Sequence, residues 1–270
     1  MLQFRGKGLS VFESVLFKTT SSVIETEDLV AVVDPTWLPF EIAEIKDHVE
    51  RIREGKELYL LFTHGDFDHI IGYGAFPDAK VIGSAGLRDH RNKQQKLAYI
   101  HQFDDEYYVD RDYDITFPVP DVVIEHDGQQ LQVGKTILTF YLAPGHTNDG
   151  LFVIMNNTWI AGDYLSDFEL PFIDHSCKHY VETLEKAAMI IENHQELILV
   201  PGHGKATNER DEIKRRHHLA QSYIQRLVQA VQSEDGEALD VLGEEMPYPS
   251  SFTKECHEKN IEITKSEYGS

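Results

Sequence analysis

Four apolar segments of this chain end in the same way, each in a short turn that carries a histidine or an aspartate. Short apolar runs bounded by Gly or Pro are typical of buried β-strands, and residues just past such strands can meet at one edge of a layered α/β domain. Imidazole and carboxylate groups are common protein ligands of zinc, iron and manganese. The pattern therefore predicts an α/β fold with a metal site. The segments are LYLLFTH at 58–64, KTILTFYLAPGH at 135–146, NTWIAGD at 157–163 and ELILVPGHG at 196–204.

The first of these segments runs into the densest group of candidate ligands, HGDFDH at 64–69. A catalytic metal ion keeps one position open for water, so this loop and the other strand ends hold too many ligands for one ion. We expect two ions, with one carboxylate bridging them. The candidate metal ligands are His64, Asp66, Asp68, His69, His146, Asp163 and His203.

The rest of the chain divides by pattern into one large domain, residues 1–232, and a tail. The alternation of apolar and polar residues at 11–34 predicts two or three antiparallel strands. Apolar residues with helical spacing follow this segment. The charged insertion at 85–116 is expected to form a helical flap, and the acidic tail at 233–270 to pack on the domain as an appendage. The predicted amphipathic helices are 40–54, 178–193 and 208–232.

The net charge of the chain limits the kinds of molecule that it can bind. The chain has 25 Lys and Arg against 46 Asp and Glu, a formal charge of -21, which repels a phosphate backbone. We therefore expect a small-molecule substrate and no nucleic-acid partner. The first 17 residues lack the apolar stretch of a secretory signal, and no segment reaches the length of a membrane span, so we expect a cytoplasmic protein without a membrane partner. The sequence does not indicate the oligomeric state.

With these motifs the sequence resembles the metallo-β-lactamase superfamily. That family has a His-x-His-x-Asp-His loop after a buried strand, followed by a His, an Asp and a last His in small turns. The corresponding motifs here are HGDFDH, PGHT with His146, AGD with Asp163 and PGHG with His203, and the resemblance covers roughly residues 10–230. It implies a four-layer αββα sandwich, two mixed sheets flanked by helices, with the metals at the sheet edge.

The resemblance also implies a role for each candidate. His64, Asp66 and His146 would hold the first metal, and Asp68, His69 and His203 the second, with Asp163 bridging them. The family's shared chemistry is metal-assisted hydrolysis, in which two divalent ions, zinc by family, lower the pKa of a water and generate hydroxide. Asp68 would orient this nucleophile and receive its proton. The expected substrate is a small ester, thioester, lactone or phosphodiester.

Asp66 departs from the family pattern, which has histidine at this position. As a metal ligand, a carboxylate has a stronger preference for iron or manganese than an imidazole has. Three carboxylates against four positive charges of two divalent ions leave one positive charge, whereas the usual two carboxylates leave two. Asp66 therefore has three interpretations. The protein is a hydrolase that uses a harder metal, or it is an enzyme whose first metal site binds weakly so that it depends mainly on the second metal, or it has lost catalytic activity. The alternatives to a hydrolase are an iron-dependent oxidoreductase or oxygenase on the same fold, as in the flavodiiron proteins, and a non-catalytic metal-containing binding protein.

Further residues have two interpretations each. Tyr164, beside Asp163, either donates to charge that develops on the substrate or has a structural role. In the flap, Arg88, Arg91, Tyr107 and Tyr108 either contact the substrate or belong to an ordinary helical excursion. Histidines outside the motifs, His257 among them, are expected at solvated positions because their sequence surroundings are charged or helical.

Overall fold

A computed structural model describes residues 1–245 and 250–269, which form two mixed β-sheets packed face to face. The first sheet has seven strands: β1 (Leu2–Gly6), β2 (Leu9–Glu13), β3 (Thr20–Glu25), β4 (Leu29–Val33), β5 (Glu57–Leu61), β6 (Lys80–Ser84) and β7 (Val122–Ile124). They lie in sequence order, with β1 to β4 antiparallel and β4 to β7 parallel.

The second sheet has five strands: β8 (Gln129–Val133), β9 (Thr136–Leu142), β10 (Leu151–Met155), β11 (Thr158–Ile160) and β12 (Ile198–Val200). Their spatial order is β12-β11-β10-β9-β8, and only the pair β11 and β12 is parallel. Parallel neighbours end at the same edge of a sheet, so the turns after β11 and β12 are adjacent.

Helices cover the outer faces of both sheets. They are α1 (Pro39–Arg53), α2 (Phe67–Ile70), α3 (Ala85–Arg88), α4 (Lys93–Tyr107), α5 (Cys177–Asn193), α6 (Arg210–Gln232), α7 (Gly236–Glu244) and α8 (Ser251–Tyr268), with a 3₁₀ turn at Tyr73–Ala75. Within the described part of the chain, no helix combines the length and the apolar character that crossing a bilayer requires.

The central strands, such as β4 and β10, are buried on both faces, and their alternate residues point into different layers. In β4, Val30 and Val32 pack in one cluster with Ile42 and Ile45 of α1. The intervening residues Leu29, Ala31 and Val33 join a second cluster with residues of the other sheet. A third cluster joins the outer face of the second sheet to α5, α6 and α7. The layers are thus helix, sheet, sheet and helix, which confirms the expected αββα sandwich.

The three predicted helices are α1, α5 and α6, and the 85–116 insertion contains α3 and α4. The tail forms two further helices packed on α6, but the division of the chain at residue 232 stays a prediction. Helix α8 had no apolar stripe to indicate it, because its buried face carries Cys256, His257, Asn260 and Thr264. The expectation that His257 is solvated is wrong, because its Nδ1 accepts from the Tyr223 hydroxyl at 2.8 Å inside the protein.

Asn260 fastens α8 to the segment that precedes α5. Its side chain is fully buried, accepts from the Ile173 N–H at 2.7 Å and donates to the Pro171 carbonyl at 2.7 Å. Asn260→Ala should lower the free energy of unfolding by about 2–4 kcal/mol, because both buried backbone groups lose their partner. Urea denaturation measures this, with the exposed Asn208→Ala as the control. A loss no larger than that of the control would contradict this role.

Candidate metal centre

The HGDFDH loop continues directly from β5, a central strand of the first sheet. Gly65 passes so close to its neighbours that a Cβ there would lie 2.9 Å from Asp149 Oδ2 and 3.0 Å from the Phe117 ring. Any larger residue here would have to displace one of these side chains, and after this close approach Asp66 becomes the N-cap of α2. The short helix then carries Asp68 and His69, both buried, at the strand end.

The other three candidates emerge from the second sheet. His146 follows β9, Asp163 follows β11 and His203 follows β12. A Cβ at Gly202 would lie 2.1 Å from Asp163 Oδ1, so the glycine allows the neighbouring turns to meet. All seven side chains therefore converge, although their strands belong to both sheets.

Asp163 lies at the centre of the cluster, and four imidazoles surround it. The distances from its carboxylate oxygens to the Nε2 atoms are 3.5 Å for His64, 3.1 Å for His69, 3.1 Å for His146 and 3.3 Å for His203. Asp163 Oδ1 and the Nε2 atoms of His64, His69 and His146 are buried without a hydrogen bond. Buried polar atoms normally have partners. These unpaired nitrogen and oxygen atoms point to the same place, which is the arrangement expected around a bound cation.

The candidate ligands fall into overlapping groups whose ligand atoms lie within 4.8 Å of one another. The groups are His64 with Asp66 and His146, Asp68 with His69 and His203, and His64 with His69 and Asp163. The first two groups match the two metal positions that the family resemblance implies. Nitrogen and carboxylate oxygen donors suit zinc, iron or manganese.

The outer ring nitrogen of each histidine is held by a hydrogen-bond acceptor. Nδ1 lies 2.9 Å from Thr63 Oγ1 in His64, 3.0 Å from Asp34 Oδ2 in His69, 2.9 Å from the Phe172 carbonyl in His146 and 2.9 Å from the Phe17 carbonyl in His203. Carbonyl and carboxylate oxygens fix the N–H on Nδ1 of three rings, and the Thr63 hydroxyl, which donates to Asp34, does so for the fourth. The Nε2 lone pairs are thereby directed into the cluster.

Asp34 supports two of these rings and was not singled out from the sequence. Its Oδ2 accepts from His69 and, at 2.5 Å, from Thr63 Oγ1, while its Oδ1 accepts from the Thr63 N–H at 2.9 Å. It directly follows β4, so the strand-end pattern that found the other candidates applies to it as well.

Asp34→Asn should weaken metal binding about 10- to 100-fold, because the amide nitrogen only donates and cannot replace the carboxylate oxygen that accepts from His69 and Thr63. Competition with a metal chelator, followed by elemental analysis, measures the affinity. Asp78→Asn, at an exposed position, is the matched control. Equal affinity in the two variants would show that Asp34 does not orient His69.

Lys96 of α4 reaches into the cluster and pairs with Asp66. Its Nζ lies 2.5 Å from Asp66 Oδ1, and both side chains are 14% exposed. The other carboxylate oxygen, Oδ2, faces His146 Nε2 at 3.5 Å. If two divalent ions bound here, as the resemblance implies, the three carboxylates and Lys96 would bring the summed charge to two, as in the usual motif. Lys96 thus supplies a positive charge that the sum from Asp66 alone did not include, and the charge deficit of the loaded site stays a prediction.

The carboxylates and imidazoles shift one another's pKa values. Burial by itself lowers the pKa of His146, but the charges of Asp163 and Asp66 outweigh it and raise the pKa to about 10. Burial likewise raises the pKa of Asp163, yet the surrounding histidines hold it well below its usual value. A proton and a cation compete for the same Nε2 lone pair, so cation binding here releases protons.

The remaining candidates lie outside the cluster or have other partners. The Tyr164 hydroxyl is buried and contacts the carbonyls of Ala143 and Pro144 at 3.2 and 3.0 Å, which supports the structural interpretation. Arg88 pairs with its exposed neighbour Asp89. Tyr107 and Tyr108 end α4 at 60% and 93% exposure, and Arg91 is also exposed. None of these four flap residues is in the cluster, whereas Lys96, also in the flap, contacts it through Asp66.

Comparison with known proteins gives a consistent picture. The family model described as the metallo-beta-lactamase superfamily matches residues 15–236. A metallo-β-lactamase family protein from Thermus thermophilus has a TM-score of 0.67 at 17% identity, covering 96% of this chain and 94% of that one. ETHE1 from Myxococcus xanthus has a TM-score of 0.59 at 16% identity, covering 97% and 99%.

A third similar structure is the stereoselective inverting sec-alkylsulfatase Pisa1 from Pseudomonas sp.. Its TM-score is 0.71 at 13% identity, covering 98% of this chain and 50% of that one. At such identities the likeness of these structures concerns the fold. Their names belong to different chemistries, so the fold alone does not select a reaction.

Proposed function

The chain belongs to the metallo-β-lactamase superfamily, and on that premise we propose that it is a binuclear metal-dependent hydrolase. The observation that carries the proposal is the set of four Nε2 atoms around the Asp163 carboxylate. The proposed substrate is a small ester, thioester, lactone or phosphodiester in the cytoplasm.

The proposed ligands divide between two positions. His64, Asp66 and His146 form the first, and Asp68, His69 and His203 the second, while Asp163 faces both. Two divalent ions bound there would act as Lewis acids on the substrate and lower the pKa of a water molecule. The residues themselves supply the geometry, because the acceptors on every Nδ1 fix the rings before substrate arrives.

Asp68 is the proposed general base. Its Oδ2 is buried 3.3 Å from the Thr19 hydroxyl and 3.5 Å from His203 Nε2. The Thr19 contact restricts the rotation of the carboxylate, which can then orient a water and accept its proton.

A second candidate function is an iron-dependent oxidoreductase or oxygenase, which Asp66 favours by adding a hard oxygen donor. A third, a metal-containing binding protein without turnover, keeps the same geometry. The three differ in metal content, in colour and in the reactions they support.

Chelator-free purification, elemental analysis and a panel of chromogenic esters, thioesters, lactones and phosphodiesters test the proposal. We expect a colourless protein with two divalent ions per chain that hydrolyses one class, and loss of that turnover after metal removal with recovery on reloading. A coloured iron protein that consumes oxygen and hydrolyses nothing would replace it with the oxidoreductase. Metal binding without turnover of any substrate would favour the third candidate, a non-catalytic metal-containing binding protein.

A further inference from the structure

Five aromatic side chains form a connected row that runs along the cluster, and we name this row the aromatic arc. Successive ring centroids lie 5.7 Å apart from Phe67 to Trp37, 6.2 Å to Phe17, 5.6 Å to Phe252 and 6.5 Å to Phe172. The row starts inside the HGDFDH loop. It ends where the Phe172 ring meets the His146 ring at 5.4 Å.

The aromatic arc is attached to the proposed metal ligands by the backbone. The Phe17 carbonyl accepts from His203 Nδ1 and the Phe172 carbonyl accepts from His146 Nδ1, each at 2.9 Å. The residues that orient these two imidazoles therefore also carry rings of the arc. The position of the arc beside the cluster is fixed by the same contacts that fix the histidines.

Part of the arc faces solvent. Trp37 is fully buried, but Phe17 is 43% exposed and Phe252 is 47% exposed, and Phe172 is half-buried. A single exposed phenylalanine needs no explanation. Adjacent exposed rings that are continuous with a cluster of buried ligands are typical of the apolar part of a binding site.

Two ammonium groups beside the arc are already paired. Lys259 lies over the Phe172 ring at 5.9 Å and forms an ion pair with Asp174. Lys96, next to the loop of Phe67, pairs with Asp66. Since both ammonium groups have carboxylate partners, the arc favours an apolar group over an anionic one.

Phe252 comes from α8, so the tail contributes one ring to the aromatic arc. Asn260 holds the same helix against the segment 171–173, which contains Phe172. We propose that α8, through Phe252, completes an apolar subsite that binds the alkyl or aryl group of the substrate. This inference rests on the proposed function and narrows its substrate to compounds with an apolar substituent beside the scissile bond.

Calorimetric titration of the metal-loaded protein with acetohydroxamate and octanohydroxamate tests the subsite without turnover. Both probes chelate divalent metals through the same head group and differ only in alkyl length. Each buried methylene strengthens binding about fourfold, so we expect the longer probe to bind at least about thirtyfold more tightly. Phe252→Ala should reduce that gain about tenfold and leave acetohydroxamate binding within about twofold.

Phe40→Ala is the matched control, because Phe40 is an exposed phenylalanine on α1, outside the arc. It should keep the full chain-length gain, and thermal unfolding should show both variants folded. The absence of a gain in the unchanged protein, or an unchanged gain in Phe252→Ala, would overturn the subsite. Loss of a dimer in Phe252→Ala with the gain intact would also overturn it and make the arc an interface between copies. If octanohydroxamate binds more tightly than acetohydroxamate but no tested ester is hydrolysed, the subsite proposal stands and the hydrolase proposal is wrong.

Discussion

Replacing Asp163 by asparagine is expected to lower turnover by about 10³-fold or more, the scale on which essential active-site groups act. The variant should also lose metal. Asp163 lies 3.1–3.5 Å from four imidazole Nε2 atoms, and its charge is the one shared by both proposed metal positions. Asparagine keeps the size of the side chain but removes the charge and one of the two acceptor oxygens.

Elemental analysis and turnover of the best substrate in the panel measure the two effects together. Asp105→Asn on α4 is the control, because that carboxylate is exposed and lies outside the cluster. It should leave metal content and turnover unchanged. If Asp163→Asn retained two ions and turnover within about tenfold of the unchanged protein, Asp163 would not bridge the metals.

The second large effect is expected from Asp66 and Lys96 changed singly and together. Asp66→His alone leaves the buried Lys96 ammonium beside the two proposed cations without its carboxylate, so metal binding should weaken about 100-fold or more. The double change Asp66→His with Lys96→Met returns the summed charge to two and should restore affinity to within about tenfold. Chelator competition on all four proteins gives the coupling between the two positions, expected to be about 2 kcal/mol or more.

Lys93→Met, one helical turn before Lys96, is the control for the loss of a lysine from α4. Combined with Asp66→His it should rescue nothing. Additive effects of the Asp66 and Lys96 changes would mean that the 2.5 Å ion pair does not balance the charge of the metal centre. In that case Asp66 would act as a ligand that merely replaces histidine.

The four strands that end in candidate ligands could be predicted because the information is local. A short apolar run and a Gly-flanked histidine or aspartate lie next to each other in the sequence, and the sandwich then brings the ends together. The helices α1, α5 and α6 were predicted for the same reason, since each has a continuous apolar stripe. The seven candidate ligands depend only on these two local patterns.

The contacts made by the flap and the tail could not be predicted in this way. Lys96 reaches Asp66 across 30 positions, and nothing near Lys96 in the sequence distinguishes it from Lys93. Helix α8 buries polar and small side chains, so it lacks the apolar periodicity that marked the other helices. The native metal, the cytoplasmic location and the absence of a nucleic-acid partner stay predictions.

A crystal grown with manganese or zinc and measured at the absorption edge of that metal tests the central claim most directly. The expected anomalous map has two peaks per chain, one among His64, Asp66 and His146 and one among Asp68, His69 and His203, with the Asp163 carboxylate between them. A metal-saturated crystal without an anomalous peak in this cluster would contradict the proposed metal site, even if the fold of the protein were as described.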